Sequence, residues 1–351
     1  REKRMDKLKV CIVGAGQESR ASHIPNLQRL TDMAELTALC DINEAAARDA
    51  AEKYGIARYY GSHIAMLETE KPDMVTVCVP NRFHADIVLD ALHYGCHVLC
   101  EKPPAITSAD AERMEQAAVK AGKLLTYNFH YRQAPEVQTI KRMIEANDFG
   151  RVYAGKAIAV RRRGIPGWGN FTNKELQGGG PLMDIGVHML DAALYLMGYP
   201  EAEYVCANAF DAIGHKGGVG TYGAWDGARY TVEDSLFGFV GFRDGRSLLI
   251  ESAFALNCRE NQTMNVELFG EQRGASVFTG ELYRSEADGM MVNESFRPIA
   301  EANRRAQSIS GFVRCCLSGE APLVTPSQGT ALMRLVEGLY RSAEQGTPMK
   351  L

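Results

Sequence analysis

The stretch KLKVCIVGAGQES, residues 7–19, decides how the first third of the chain is read. Residues 7–13 form a short β-branched apolar run that ends in Gly14-Ala15-Gly16, and a helix-compatible segment follows at 21–30. In a strand–turn–helix unit of this kind the first glycine permits a tight turn and the second lets the backbone approach a pyrophosphate. The helix N-terminus then offers N–H groups and partial positive charge. Ser19 stands where this fingerprint has its last glycine or alanine. Asp41 closes the next apolar run, 36–40, and lies 22 residues past Ser19. That is close to the ~20 expected of a carboxylate on an adenosine ribose. Gly14, Gly16, Gln17, Glu18 and Asp41 are therefore candidate dinucleotide-binding residues. A plain βα turn with a solvated aspartate is the alternative, and the three features together favour the nucleotide.

Outward from this unit the alternation continues. Strands are expected at 74–79, 97–100 and 124–127, and helices at 43–54, 82–94 and 108–121, the last capped by Thr107 with Asp110 in its first turn. Near-continuous apolar strands alternating with helices predict a parallel sheet covered on both faces. Ligands of such sheets bind beyond the carboxyl ends of the strands, where Pro80, Asn81, Glu101, Lys102 and Asn128 stand. After Asn128 the pattern changes. Helices are expected at 134–147, 181–197 and 333–343, and a strand at 152–160. Mainly antiparallel strands follow at 204–210, 230–242, 247–256, 264–269 and 275–278, with an Asp244-Gly245 hairpin. The expected fold is an α/β Rossmann-type domain over 1–128. An α+β domain with an open, mainly antiparallel sheet follows over 129–351, its closing helix near 327–345 packing back on the first. Too few helices are available to cover both faces of the second sheet. A homodimer or homotetramer is expected through its open face, marked by Leu236, Leu248 and Ile250.

Composition narrows the class. With 351 residues, 46% hydrophobic and 23% charged, the chain has material for two cores. A net charge of −4 lacks the basic excess of a nucleic-acid or anionic-membrane binder, and no apolar run reaches the ~18–20 residues of a membrane-spanning helix. Nine scattered cysteines argue against a secreted disulfide framework, and no signal-peptide core is visible, so a cytoplasmic protein is expected. His93, Cys96, His97 and Cys100 have metal-like spacing. They straddle a helix end and a strand whose successive side chains alternate faces, so no metal site is expected there.

Residues 74–105 read MVTVCVPNRFHADIVLDALHYGCHVLCEKPPA, and residues 178–198 read GGGPLMDIGVHMLDAALYLMG. Together these resemble the Gfo/Idh/MocA oxidoreductases, the glucose–fructose oxidoreductase and inositol dehydrogenase family. Its members carry Pro-Asn-x-x-His after one strand, Glu-Lys-Pro after the next, and Gly-Gly-x-x-x-Asp-x-Gly-x-His on a later helix. The likeness runs on to the Val232-Glu233-Asp234 strand and to Tyr340-Arg341-Ser342-Ala343, with departures at Ser19 and Pro104. The resemblance implies an NAD(P)-dependent oxidoreductase, adds His84 to the cofactor side, and implies a cis Lys102–Pro103 bond directing the lysine.

The chemistry has its own argument. Asp184 and His188 are four apart on one helix, so both project from one face. Oxidising a secondary alcohol needs a base, and imidazole titrates near working pH. A cation beside the oxygen stabilises developing alkoxide, which Lys102 can supply. His188 is thus the expected base, Lys102 the electrostatic or relay partner, and Asp184 the group orienting substrate hydroxyls and imidazole. The alternative is a core histidine with two surface charges. Arg163 and Trp168, in the stretch 161–171, are substrate candidates together with Asn128, because arginine forks anions and aromatic faces stack on sugars. The glycine-rich segment 213–228 reads as a lid, a subunit contact or a disordered loop. Asp41 has no adjacent cation except Arg20, so NAD is expected over NADP. The expected substrate is a sugar, inositol or related polyol. A tightly NAD-bound enzyme using transient oxidation for elimination or glycoside cleavage, and a non-catalytic cofactor-binding regulator, are the competing functions.

Overall fold

The computed structural model describes residues 7–299 and 301–351. Packing divides the chain into two compact units. One comprises residues up to His130 with Asn303–Ala331, the other Tyr131–Ala302 with Leu332–Leu351.

The first unit is built on strands β1 (Leu8–Val13), β2 (Ala34–Cys40), β3 (Arg58–Tyr60), β4 (Met74–Val77), β5 (His97–Cys100) and β6 (Leu125–Tyr127). They lie in the order β3-β2-β1-β4-β5-β6 with every pair parallel. Helices α1 (Ile24–Gln28), α2 (Glu44–Tyr54), α3 (His63–Glu70), α4 (His84–His93) and α5 (Ser108–Ala121) connect them. β4 is buried along its whole length, as the unbroken apolar run implies. Thr107 caps α5 as read, its hydroxyl accepting from the Asp110 N–H at 3.1 Å. β3 and α3 were not legible. β3 is only three residues long and largely exposed, and α3 has no marked apolar stripe. The segment expected as one helix at 21–30 instead opens with a wide π-helical turn, Ser19–His23.

The second unit begins with α6 (Pro135–Glu145), β7 (Val152–Arg161), α7 (Lys174–Gln177) and α8 (Val187–Leu196). Strands β8 (Ala202–Phe210), β9 (Gly218–Gly220), β10 (Gly223–Trp225), β11 (Ser235–Phe242), β12 (Ser247–Ala253), β13 (Gln262–Gly270), β14 (Gly274–Ser276), β15 (Glu281–Ser285) and β16 (Met291–Ser295) follow. The chain closes with α9 (Arg304–Ser318), α10 (Pro326–Gln345) and β17 (Met349–Lys350). Nine strands make one sheet, β16-β15-β14-β13-β7-β12-β11-β8-β17, antiparallel except for the parallel β7–β12 pair. α9 belongs to the first unit, where Ile309, Phe312 and Val313 join the core of Val10, Ile12, Leu27 and Leu39.

Three expectations change. The strand expected at 230–242 starts only at Ser235, because the Thr231 N–H is bonded to Thr172 O and the Tyr230 hydroxyl to Glu233 O. The segment 213–228 is ordered. β9 and β10 form a hairpin, Trp225 donates to Gly214 O at 2.9 Å, and the Asp234 carboxylate receives the Ile213 and Gly214 N–H groups. Leu236, Leu248 and Ile250 do not face outward; all three are buried within the chain. Leu339 of α10 covers Gly238 on the same face as Leu236, and α8 packs on β7 and β13. The uncovered face carries the opposite parity, with Phe237, Phe239 and Leu249 beside Tyr204 and Phe210. In strands a one-residue shift exchanges faces, and here both parities are apolar, so alternation was ambiguous.

Candidate active site

Gly14 turns with φ +105°, and a Cβ there would meet Cys78 O at 2.1 Å, so only glycine lets the loop after β1 cross the end of β4. Gly16 faces open space. Asp41 receives the Ala15 N–H on Oδ2 at 2.8 Å and the Asn43 N–H on Oδ1 at 2.9 Å, which ties the end of β2 to the glycine loop. A cavity of about 480 Å3 beside the loop is lined by Ala15, Gly16, Gln17, Arg20, Lys53 and Tyr54 among others. A glycine turn, open space over Gly16 and a carboxylate at the neighbouring strand end suit a dinucleotide diphosphate and its ribose. Arg20 is already engaged by Ala15 O, Ala46 O and Asp49. Glu18 pairs with Arg305 of α9 at 3.2 Å.

The loops after β4 and β5 are braced from within. His84 sets Nδ1 against Pro103 O at 2.8 Å and Nε2 against Val79 O at 2.9 Å. Burial holds its pKa below the ordinary imidazole value, against the two carbonyls. Pro80 and the buried Asn81 open the short turn before α4. The Lys102–Pro103 bond is cis, as the resemblance implied, and the Lys102 side chain is half-buried.

Glu101 is the centre of a network in which sequence reading missed one member. Its Oε1 pairs with His23 Nε2 at 2.7 Å and receives Asn128 Nδ2 at 2.6 Å, while Oε2 faces the Lys102 N–H at 3.3 Å. Burial alone would raise the Glu101 pKa, but His23, Asn128 and the Lys102 charge bring it down to about 2. Burial would likewise lower that of His23, but Cys78 and Glu101 beside it raise it well above the ordinary value. The pair is thus a buried imidazolium–carboxylate. His23 sits in the π-helical turn after the glycine loop, and nothing in its local sequence connects it to a carboxylate 78 positions away.

In the second unit, Asp184 lies in the π-helical turn Leu182–Gly186, and His188 lies at the start of α8. Such wide turns are rare and occur often at functional sites. Asp184 is half-buried and His188 is 8% exposed, its ring 5.0 Å from that of Tyr131, which in turn meets Phe278 edge-on at 5.5 Å. Gly186 packs so closely on β12 that a Cβ would lie 2.7 Å from Ser252 Oγ.

Beyond β7, the Arg161 guanidinium lies over the Tyr222 ring at 4.7 Å. Trp168, 43% exposed, meets Tyr222 and Phe171 edge-on at 5.4 and 6.5 Å. Backbone bonds from Thr221 N–H to Arg163 O and from Gly167 N–H to Tyr222 O lock this loop to the β9–β10 hairpin, while the Arg163 side chain is exposed. The cysteine–histidine stretch at 93–100 is used internally. Cys96 Sγ donates to Pro72 O, and His97 Nδ1 receives the Leu124 N–H.

A six-stranded parallel sheet in this order, with a glycine turn after its first strand and a carboxylate after its second, is a dinucleotide-binding fold. Residues 8–129 match the model of the oxidoreductase family with an NAD-binding Rossmann fold, and residues 137–276 match the GFO/IDH/MocA C-terminal domain. The chain is 44% identical to a D-glucoside 3-dehydrogenase of Escherichia coli (strain K12), over 98% of this chain and 97% of the relative. The myo-inositol 2-dehydrogenase of Thermotoga maritima is 26% identical, over 98% of each chain. The crystal structure of aldose-aldose oxidoreductase from Caulobacter crescentus complexed with glycerol superposes with a TM-score of 0.81 at 26% identity, covering 99% and 100% of the two chains. The chain belongs to the GFO/IDH/MocA oxidoreductase family. Among the described residues no helix is long and apolar enough to cross a membrane.

Proposed function

We propose that the protein is an NAD-dependent dehydrogenase of a D-glucoside, oxidising a ring secondary hydroxyl, with C3 the carbon expected from its most informative relative. The observation that carries this reading is the near full-length likeness to the D-glucoside 3-dehydrogenase. In the proposed reaction His188 takes the hydroxyl proton, Asp184 orients the sugar hydroxyls and the imidazole, and Lys102 stabilises the negative charge developing on oxygen. Bound nicotinamide supplies the hydride acceptor, so one glucoside and one NAD give one keto-glucoside, one NADH and one proton. Gly14, Gly16, Gln17 and Asp41 would hold the dinucleotide. Glu18, Pro80, Asn81, His84 and Glu101 would shape its surroundings. Trp168 offers an exposed face on which a pyranose can stack; Asn128 and Arg163 are further substrate-side candidates. The test is absorbance at 340 nm with NAD and methyl β-D-glucoside, free glucose or myo-inositol. Stoichiometric NADH with the glucoside supports the reading. Aglycone release without NADH would favour transient oxidation, and neither product would favour a regulator.

NAD is the proposed cofactor over NADP. The Asp41 carboxylate would face a 2′-phosphate at hydrogen-bond range, and unit charges ~4 Å apart repel by about 4 kcal/mol at an effective dielectric of ~20. Retaining a third of that disfavours NADP by roughly tenfold. Arg20 is tied to Asp49 and two carbonyls, so rescue of NADP by this side chain would cost those bonds. The Asp41→Ala variant should narrow the ratio of kcat/KM values for the two cofactors. Equal use by the wild type, or an unchanged ratio in the variant, would remove Asp41 from ribose recognition.

A homo-oligomer through the sheet face carrying Phe237, Phe239 and Leu249 is also proposed. Tyr204, Phe210 and Leu249 there are 40%, 48% and 44% exposed, which makes a contiguous apolar surface that is costly to leave in water. Sedimentation at micromolar concentration should give a dimer or tetramer, and Phe239→Glu should shift it toward monomer. A wild type that sediments only as monomer would sink the idea.

A further inference from the structure

We propose that Glu233 is the positioning residue of the segment that carries Asp184 and His188, acting as a carboxylate cap supplied from a distant part of the chain. The inference rests on the reading of those two residues as catalytic. Glu233 Oε2 receives the Gly180 N–H at 2.9 Å, and Oε1 receives the Leu182 N–H at 3.4 Å and the Tyr340 hydroxyl at 2.7 Å. Gly180 and Leu182 flank Pro181, which has no N–H to offer, and Asp184 follows two residues later with its own N–H on Gly180 O. The first N–H groups of a helix lack intrahelical partners and concentrate positive potential, which a carboxylate satisfies on both counts. Pro181, at the N-cap of the turn Leu182–Gly186, makes no side-chain cap bond.

The same contact explains why Gly179 and Gly180 are glycines, while Gly178 closes α7 at φ +80°. A Cβ on Gly179 would lie 2.1 Å from the Tyr340 hydroxyl, and one on Gly180 would lie 2.4 Å from Glu233 O. The glycines admit Tyr340 from α10 and the backbone of Glu233 to close range. Tyr230 fixes Glu233 in turn by donating to its carbonyl at 3.0 Å. Burial raises the Glu233 pKa, against the three donors that favour the charge. Neighbouring Asp234 grips the Ile213 and Gly214 N–H groups, so consecutive side chains hold the catalytic segment and the loop leading to the β9–β10 hairpin.

Glu233→Gln keeps the shape but supplies one acceptor oxygen. If that oxygen keeps Gly180, the amide NH2 meets the Leu182 N–H, which cannot turn away. The expected result is a fall in kcat for methyl β-D-glucoside of roughly 10- to 100-fold, the scale of a small misplacement at reacting atoms. NAD affinity should stay within twofold, and peptides spanning 180–196 should exchange amide hydrogen faster while the rest of the second unit is unchanged. Tyr340→Phe, which keeps both helix N–H bonds, should lower kcat by about threefold. A folded Glu233→Gln protein with kcat within twofold of wild type and unaltered exchange overturns the proposal. Should that variant not fold, wild-type kcat and exchange in Tyr340→Phe overturn it equally. If the wild type oxidises no glucoside, the dehydrogenase reading falls, while the exchange data still decide whether Glu233 holds this segment.

Discussion

His188→Ala lowers kcat for glucoside oxidation by at least ~100-fold, the usual scale for removing a general base. That corresponds to about 2.7 kcal/mol of transition-state stabilisation. NAD affinity, measured by titration of protein fluorescence, is unchanged, because the glycine loop and Asp41 belong to the first unit and His188 to the second. The protein stays folded, since the ring packs on Tyr131 at the start of α8 and its loss leaves the helix intact. Loss of NAD binding together with activity would make His188 a structural residue and remove the base from the proposed chemistry.

His23→Ala costs about 3–5 kcal/mol of stability, the range for stranding one partner of a buried ion pair. The variant leaves the Glu101 carboxylate with the Asn128 amide, the Lys102 N–H and the charge of the Lys102 side chain. Adding Glu101→Gln removes the stranded charge and recovers part of the loss, so the double-mutant cycle has a non-zero coupling. The pH dependence follows from both shifts. Glu101 is depressed, so its contribution is full above the ordinary carboxylate range and is lost as pH falls through about 2. His23 is raised, so its contribution is full below the ordinary imidazole value and is lost only as pH rises through its elevated pKa. The destabilisation by His23→Ala is therefore greatest from about pH 5 to about 6.5, begins to decline at higher pH and shrinks in acid. Denaturant midpoints at pH 7 and pH 3 check this. Equal midpoints for wild type and variant at pH 7 would show that the pair stabilises nothing.

The first unit was legible because its signals are local. A parallel sheet buried on both faces writes each strand as a short apolar run, and the ligand-side residues follow their strands within a few positions, Gly14 and Asp41 by one, Lys102 by two and Asn81 by four. The second unit was less so. Its strands alternate weakly between faces, so Leu236, Leu248 and Ile250 were assigned to the open face although they lie under the helices. α9 and the β15–β16 pair were not read, although α9 buries Ile309, Phe312 and Val313 at helical spacing. The glycine-rich segment 213–228 suggested a loop whose order comes from Asp234 and Trp225.

By itself, then, the sequence located five of the six strands of the first unit, the glycine turn, the cap at Thr107, and Lys102, Asp184 and His188 as the reactive candidates. Each of these depends on residues within about a turn of helix or a strand of one another. Only the tertiary structure decided that His23 and Asn128 hold Glu101, that Arg20 is spent on Asp49, and that Glu233 and Tyr340 close on the glycines before Asp184. Those partners are separated by 27 to 107 positions. Buried polar groups take whatever donor or acceptor the fold brings within hydrogen-bond range, and no local periodicity records which one that is.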